Sequence, residues 1–214
     1  MKRTTLLYKE ILYLLIFSCL PMYSEELLVE LSKINSHITI NLIYATSHNF
    51  TGKQIYKKTA KAYLIKEAAH ALSNVQNELE TMGLGLVVWD AYRPVSAQQK
   101  LWDVCAQKYP DPLQREKYVS NPAKGGRHTR GTSVDLTLKE LKTGKLLEMG
   151  TQFDHFGIEA WHSYTGAKIS KKAKENRVLL AHIMEKHGFK RIVSEWWHYD
   201  YKNWEQHEPQ NVEI

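Results

Sequence analysis

A helical stripe that runs into an unbroken apolar strand is the strongest constraint on this chain. Over residues 60 to 82, Leu64, Ala68, Leu72, Val75, Leu79 and Met82 recur at three- and four-residue spacing, the pattern of an amphipathic helix with one face to bury. Gly83 is placed to end it. Leu84-Gly85-Leu86-Val87-Val88-Trp89 follows without a polar side chain and reads as a buried strand ending at Asp90. A buried strand next to a one-faced helix requires a layered domain.

The rest of the chain extends that architecture. Ser96 is positioned to cap a second helix, to about Tyr109, that buries Leu101, Trp102 and Cys105. Pro110, Pro112, Asn121, Pro122, Gly125 and Gly126 mark a long loop. Val134, Leu136 and Leu138 alternate with Asp135 and Thr137, which predicts a half-buried strand. Leu179, Leu180, Ile183 and Met184 give a third helix an apolar face over Lys174 to His187, ended by Gly188. The aromatic-rich stretch from Ile192 to Tyr201 reads as a further strand. There is no internal repeat or linker. The expected fold is α+β: one domain over residues 25 to 214, with a central, largely antiparallel sheet flanked by helices.

Composition narrows the possible partners. The net charge of +6 raises the question of a polyanion. However, the two lysine clusters, Lys57, Lys58 and Lys61 and Lys171, Lys172 and Lys174, lack interleaved aromatics and any nucleic-acid motif. They read as a solvated basic face, with no nucleic-acid partner. Residues 1 to 24 differ from the rest: Lys2 and Arg3 precede an apolar run through Ile11, Leu12, Leu14, Leu15, Ile16 and Phe17, broken by Pro21. That is the layout of a signal peptide, and the run is shorter than the roughly 20 residues of a membrane span. Export to the periplasm or the cell-envelope surface follows, with no stable span in the mature chain. Ile16-Phe17-Ser18-Cys19 is weakly similar to a lipobox, so a lipid anchor through Cys19 stands beside cleavage after Ser24. Cys105 is then the only remaining cysteine, too few for an internal disulfide, and reads as a buried thiol.

Three stretches place ionisable residues at strand ends. In Trp89-Asp90-Ala91-Tyr92-Arg93-Pro94, Pro94 restrains Arg93 to an extended conformation, making it a candidate fixed cation for an anionic substrate or transition state. In the run from Gly126 to Asp135, Gly131 lets the chain turn so that His128 and Asp135 converge; both are good zinc ligands. Spacing alone also allows a loop histidine and an incidental carboxylate. In Ser194-Glu195-Trp196-Trp197-His198-Tyr199, His198 would complete a three-ligand zinc site with the fourth position left to water, and Glu195 would be the proton acceptor. Residues three apart on a regular strand face opposite ways, so Glu195 and His198 can share a site only if the strand bulges.

Together these stretches resemble the VanX-type D-alanyl-D-alanine dipeptidases, relatives of the zinc D,D-carboxypeptidases and the Hedgehog signalling domain. The likeness rests on a histidine followed seven residues later by aspartate, then a distant Glu-x-x-His. It extends through Tyr44-Ala45-Thr46, Asn49-Phe50-Thr51-Gly52, Asp90 to Pro94, Asp135-Leu136-Thr137-Leu138, Met149-Gly150, Phe153-Asp154, Asn176-Arg177 and Glu195 to Tyr199. The resemblance implies one zinc ion per chain held by His128, Asp135 and His198. It also implies Glu195 as general base and acid, Arg93 as the oxyanion stabiliser, and Tyr44 and Asp154 at the substrate. The implied reaction is hydrolysis of D-alanyl-D-alanine, a small dipeptide of cell-wall metabolism. The chain departs from the pattern at Gly126, where serine is usual, at Arg127, which adds a bulky charge, and at Ser133, where alanine is usual. Those departures leave two alternatives open: a D,D-carboxypeptidase or endopeptidase on longer peptides, and a non-catalytic zinc-stabilised binding domain. His155 and His162 are expected in loop roles, and His70, His182 and His187 on helices, outside the metal site.

Overall fold

A computed structural model describes residues 28–214; the expected leader, with Cys19, lies outside these residues. In chain order the elements are β1 (Leu28–Glu30), α1 (Leu31–Ile34), β2 (Thr39–Ile40), β3 (Tyr63–Ile65), α2 (Lys66–Glu80), β4 (Leu84–Asp90), α3 (Val95–Ala106), α4 (Pro112–Arg115), β5 (Ser133–Glu140), α5 (Lys171–Lys186), β6 (Phe189–Ile192) and β7 (Glu195–Tyr201). The main sheet runs β2-β4-β5-β7-β6, and β1 pairs with β3 in a separate ribbon. Within the main sheet only β2 and β4 pair in parallel; the other pairings are antiparallel. The α+β expectation holds. Among the described residues no helix is long and apolar enough to cross a membrane.

Helices α2 and α5 pack together against the sheet. Ala68, Leu72, Val75 and Leu79 of α2 and Leu180, Ile183 and Met184 of α5 are fully buried there, with Leu86, Val88, Val134, Leu136 and Leu138 beneath them. Each of these leucine, isoleucine, valine and methionine side chains contributes about 1.5–3 kcal/mol on burial. The register pairs like with like, Leu86 with Leu138 and Val88 with Leu136.

Several elements differ from expectation. Helix α2 begins at Lys66, because Tyr63–Ile65 is extended: it pairs with β1, and the Ile65 amide donates to the Gly131 carbonyl at 2.8 Å. Ser96 is no cap; α3 already starts at Val95 and ends at Ala106, and the Ser96 amide donates to Asn211 Oδ1. The proline-rich loop holds α4, with Asp111 accepting from the Leu113 amide and Pro112 in the first turn. Helix α5 starts earlier, at Lys171, where Ser170 Oγ accepts from the Ala173 amide. The last expected strand, from Ile192 to Tyr201, is β7 from Glu195, and the preceding residues Phe189–Ile192 form β6, which pairs with it as a hairpin. Strand β5 is buried on both faces from Ser133 to Leu138, because the site loops cover its polar side.

Candidate active site

Two bulges aim the site residues. Val88 of β4 pairs with Leu136, yet Asp90 pairs with Asp135, so β4 carries one residue more than β5 over this step. Strict alternation would put Asp90 on the face of Val88; the extra residue turns it to the face of Asp135. In the β6–β7 hairpin, Ile192 pairs with Glu195 and Arg191 with Tyr199, which leaves the segment between them bulged on β7. That is the bend Glu195 and His198 require. The Glu195 carboxylate reaches to 4.0 Å from His198 Nδ1.

Asp135 and His198 are direct partners across β5 and β7. His128 arrives from a short 3-10 turn, His128–Arg130, that ends at Gly131 with φ +70°. A Cβ at Gly131 would sit 2.6 Å from Leu28 Cδ2, so the position excludes side chains on two grounds. The Arg93 amide donates to the His128 carbonyl at 3.1 Å, tying the arginine loop to the histidine loop.

The three donors converge. His128 Nε2 lies 3.2 Å from His198 Nδ1 and 3.3 Å from Asp135 Oδ2, and His198 Nδ1 lies 2.9 Å from Asp135 Oδ1. Each imidazole is engaged on its far side, His128 Nδ1 to the Ala91 carbonyl at 2.7 Å and His198 Nε2 to Asp200 Oδ1 at 2.9 Å. In neutral rings the one proton is used in those outer bonds, so the facing nitrogens present lone pairs to one another and to a carboxylate. A metal ion held among them, or an added proton on His198, relieves that repulsion. Donors held about 2.0–2.1 Å from zinc at tetrahedral angles lie about 3.3–3.4 Å apart, close to what is seen. His128, Asp135 and His198 form a buried group able to hold a metal ion, and they fit zinc. Burial opposes charge on His198, but Asp200 and Asp135 raise its pKa well above the usual range. That same field favours a bound cation. Burial likewise opposes ionisation of Asp135, and the two histidines hold it charged.

Arg93 is 7% exposed. Its Nε donates to Asp90 Oδ2 at 3.1 Å and to Tyr56 Oη at 3.2 Å, Nη1 donates to Gln98 Oε1 at 2.8 Å, and Nη2 is ion-paired with Asp90. One N–H on each terminal nitrogen is left for a ligand. Burial works against its charge, and Asp90 together with the neighbouring Tyr56 and Tyr44 outweighs that, holding its pKa above the usual range. The guanidinium lies 5.1 Å from the Tyr44 ring centroid, and Tyr44 Oη donates to Asp154 Oδ2 at 2.9 Å. Asp154 adopts φ +57°, and burial and Asp135 push its pKa well above the usual range. Burial, with Asp135 adding to it, also raises the pKa of Glu195, whose side chain is 34% exposed. Tyr44, Phe153, Trp89 and Trp197 make an aromatic wall, with centroids 5.2 to 6.0 Å apart around Phe153.

All seven residues singled out from sequence therefore belong to one connected neighbourhood. Sequence reading missed Asp90, Tyr56 and Gln98 as the holders of Arg93, and Asp200 as the outer partner of His198. Asp200 had a readable signal, being two residues beyond His198 and so on the same strand face. Gly126 opens no gap, because a Cβ there would press on Gln98 Oε1 at 3.3 Å. His155 is an exposed loop residue paired with Glu159. His162 is a loop residue too, and its Nε2 is buried without a partner among the described residues.

A family model described as D-ala-D-ala dipeptidase matches residues 24–211. The chain is 42% identical over 173 residues to the D-alanyl-D-alanine dipeptidase of Escherichia coli K12, covering 81% of this chain and 83% of that protein. It is 38% identical over 168 residues to the enzyme of the same name from Enterococcus faecalis V583, covering 73% of this chain and 82% of that one. A solved vancomycin-resistance D,D-pentapeptidase, a VanY mutant in complex with Zn(II), aligns with a TM-score of 0.44 at 17% identity, over 69% of this chain and 77% of that one. The family match over most of its length makes this chain a peptidase of the D-ala-D-ala dipeptidase family.

Proposed function

We propose that this protein hydrolyses the peptide bond of D-alanyl-D-alanine, releasing two D-alanines in cell-wall peptide metabolism, with one zinc ion on His128, Asp135 and His198. The observation that carries the reading is the convergence of three lone-pair donors beside a carboxylate and a buried guanidinium. When bound, zinc supplies Lewis acidity to the scissile carbonyl and lowers the pKa of a water. Glu195 takes the proton of the attacking water on its carboxylate and returns it to the leaving amine. A carboxyl pKa raised by burial suits a group that must both accept and donate. Arg93 directs its unused N–H groups at the developing oxyanion, and because Asp90, Tyr56 and Gln98 already hold it, little reorganisation is needed. Tyr44 and Asp154, bonded to each other, bound the space for the small substrate. Residues 1–24 direct export to the periplasm or envelope surface, so the reaction takes place outside the cytoplasm.

The test is D-alanine release by the purified protein from D-Ala-D-Ala and, separately, from a pentapeptide ending in D-Ala-D-Ala, each with chelator and zinc add-back. Chelator-sensitive release from the dipeptide alone is expected. Release mainly from the pentapeptide would move the protein to the carboxypeptidase class. No release from either with zinc bound would favour the binding-domain alternative. Sequencing the N-terminus of the mature protein from fractionated cells tests the leader.

A further inference from the structure

Arg127 and Ser133, on either side of the His128 turn, meet on one carboxylate. Arg127 immediately precedes the His128 ligand, and Ser133 lies two residues before Asp135. Arg127 Nη1 is ion-paired with Asp200 Oδ2, and Ser133 Oγ donates to Asp200 Oδ1 at 2.6 Å. Asp200 is 2% exposed, and its Oδ1 also accepts from His198 Nε2 at 2.9 Å. Ser133 and Asp200 are cross-strand partners of β5 and β7, one pairing step beyond Val134 and Tyr199 and two beyond Asp135 and His198. The arginine is fixed from its other side, its Cζ lying 4.8 Å from the Trp204 ring centroid. Trp204 opens a short 3-10 turn just past β7.

From this geometry we infer that Arg127 and Ser133, braced by Trp204, form a clamp that locks the Asp200 carboxylate against His198 and so sets how tightly the chain holds its metal. The inference rests on the metal-site reading above and extends it to positioning residues. An imidazole ligand binds best when its outer N–H is held by an acceptor that cannot swing away, because ring orientation and ligand basicity are then set before the metal arrives. A lone carboxylate on a strand would have other rotamers available. Asp200 has its two oxygens taken by three donors from three segments, which leaves it one arrangement. Ser133 adds a bond that an alanine cannot make. Arg127 adds a charge-assisted bond from a guanidinium that lies over the Trp204 indole, a forked donor geometry that lysine does not reproduce.

The experiment measures the zinc dissociation constant by competition with a chromophoric chelator, and the melting temperature of each metal-free protein, for wild type, Ser133→Ala, Arg127→Gln, Arg127→Lys, Asp200→Asn and Arg127→Gln/Asp200→Asn. Asp200→Asn keeps the shape and is expected to weaken zinc binding about 10- to 100-fold. Ser133→Ala and Arg127→Gln should each weaken it roughly three- to tenfold, a part of what the whole carboxylate contributes. Arg127→Lys should recover only part of the loss. In the Asp200→Asn background Arg127→Gln should add nothing further, since both act through the same group. Arg127 is 42% exposed, so its variants keep the test intact even if Asp200→Asn folds poorly. Unchanged zinc affinity across the set, with only the metal-free melting temperatures lowered, would overturn the clamp. So would tighter binding by Arg127→Gln, which would make the arginine a repulsive neighbour of the metal. A wild-type protein that takes up no zinc would overturn the metal-site reading and the clamp together.

Discussion

Asp135 and His198 face each other directly across β5 and β7, and their side chains meet at 2.9 Å. Ladder hydrogen bonds fix both backbones, so two of the three donors are set by the sheet itself. His128 comes from a turn outside the sheet and depends on other supports, Gly131 below it and the Ala91 carbonyl behind it.

That dependence makes Gly131 a sensitive position. Gly131→Ala must take a left-handed backbone and press its methyl on Leu28. A loss of about 1–3 kcal/mol in urea unfolding is expected, with weaker zinc uptake than wild type. An unchanged unfolding midpoint would mean the turn can relax without disturbing the histidine.

Glu195→Gln keeps the shape of the carboxyl and removes its ability to accept a proton. Turnover of D-Ala-D-Ala should fall by at least about a hundredfold, while the zinc content measured by elemental analysis stays at one per chain. Loss of the metal along with the activity would show that Glu195 supports the site instead of moving protons.

Asp90→Asn tests what holds Arg93. The substitution leaves a buried guanidinium without its charged partner, at a cost of about 3 kcal/mol in folding. In the folded fraction kcat should fall by roughly tenfold to a hundredfold with KM little changed, because the arginine is asked to act on the transition state. A rise in KM alone would place Arg93 in ground-state binding.

His162 should make the protein acid-sensitive. Burial lowers its folded pKa to about 4, with Arg191 and Arg177 adding to the effect. An unfolded histidine has a pKa near 6.5, so between about pH 6.5 and pH 4 the unfolded chain binds the proton and the folded chain resists it. Stability is therefore full above that window and falls through it, by about 2 kcal/mol once partial solvent access is allowed for. His162→Gln should flatten melting temperature against pH over this range; an unaltered slope would assign the acid sensitivity to other groups.

Period and punctuation made most of the elements legible, because α2, β4 and α5 carry their burial pattern within one segment. Their starts were less legible. Helix α2 lost its first turn to pairing with β1, an interaction with residues far back in the chain. Helix α5 gained a turn from the Ser170 cap, a local signal that the apolar spacing had outweighed. In the site, His128, Asp135, Glu195 and His198 stood out because metal and proton chemistry demand those residue types. Asp90 and Asp200 did not, since an aspartate that holds another side chain looks like any other aspartate until its neighbour is known.

By itself the sequence determined the α+β class, the buried strand at residues 84–90, the family and the candidate site residues, because side-chain type and spacing are local properties of the chain. Only the tertiary structure decided which way those residues face. Period two assigns Asp90 to the face of Val88 and separates Glu195 from His198. The bulges that reverse both assignments come from pairing with β5 and β6, and a strand cannot encode its partner's register alone.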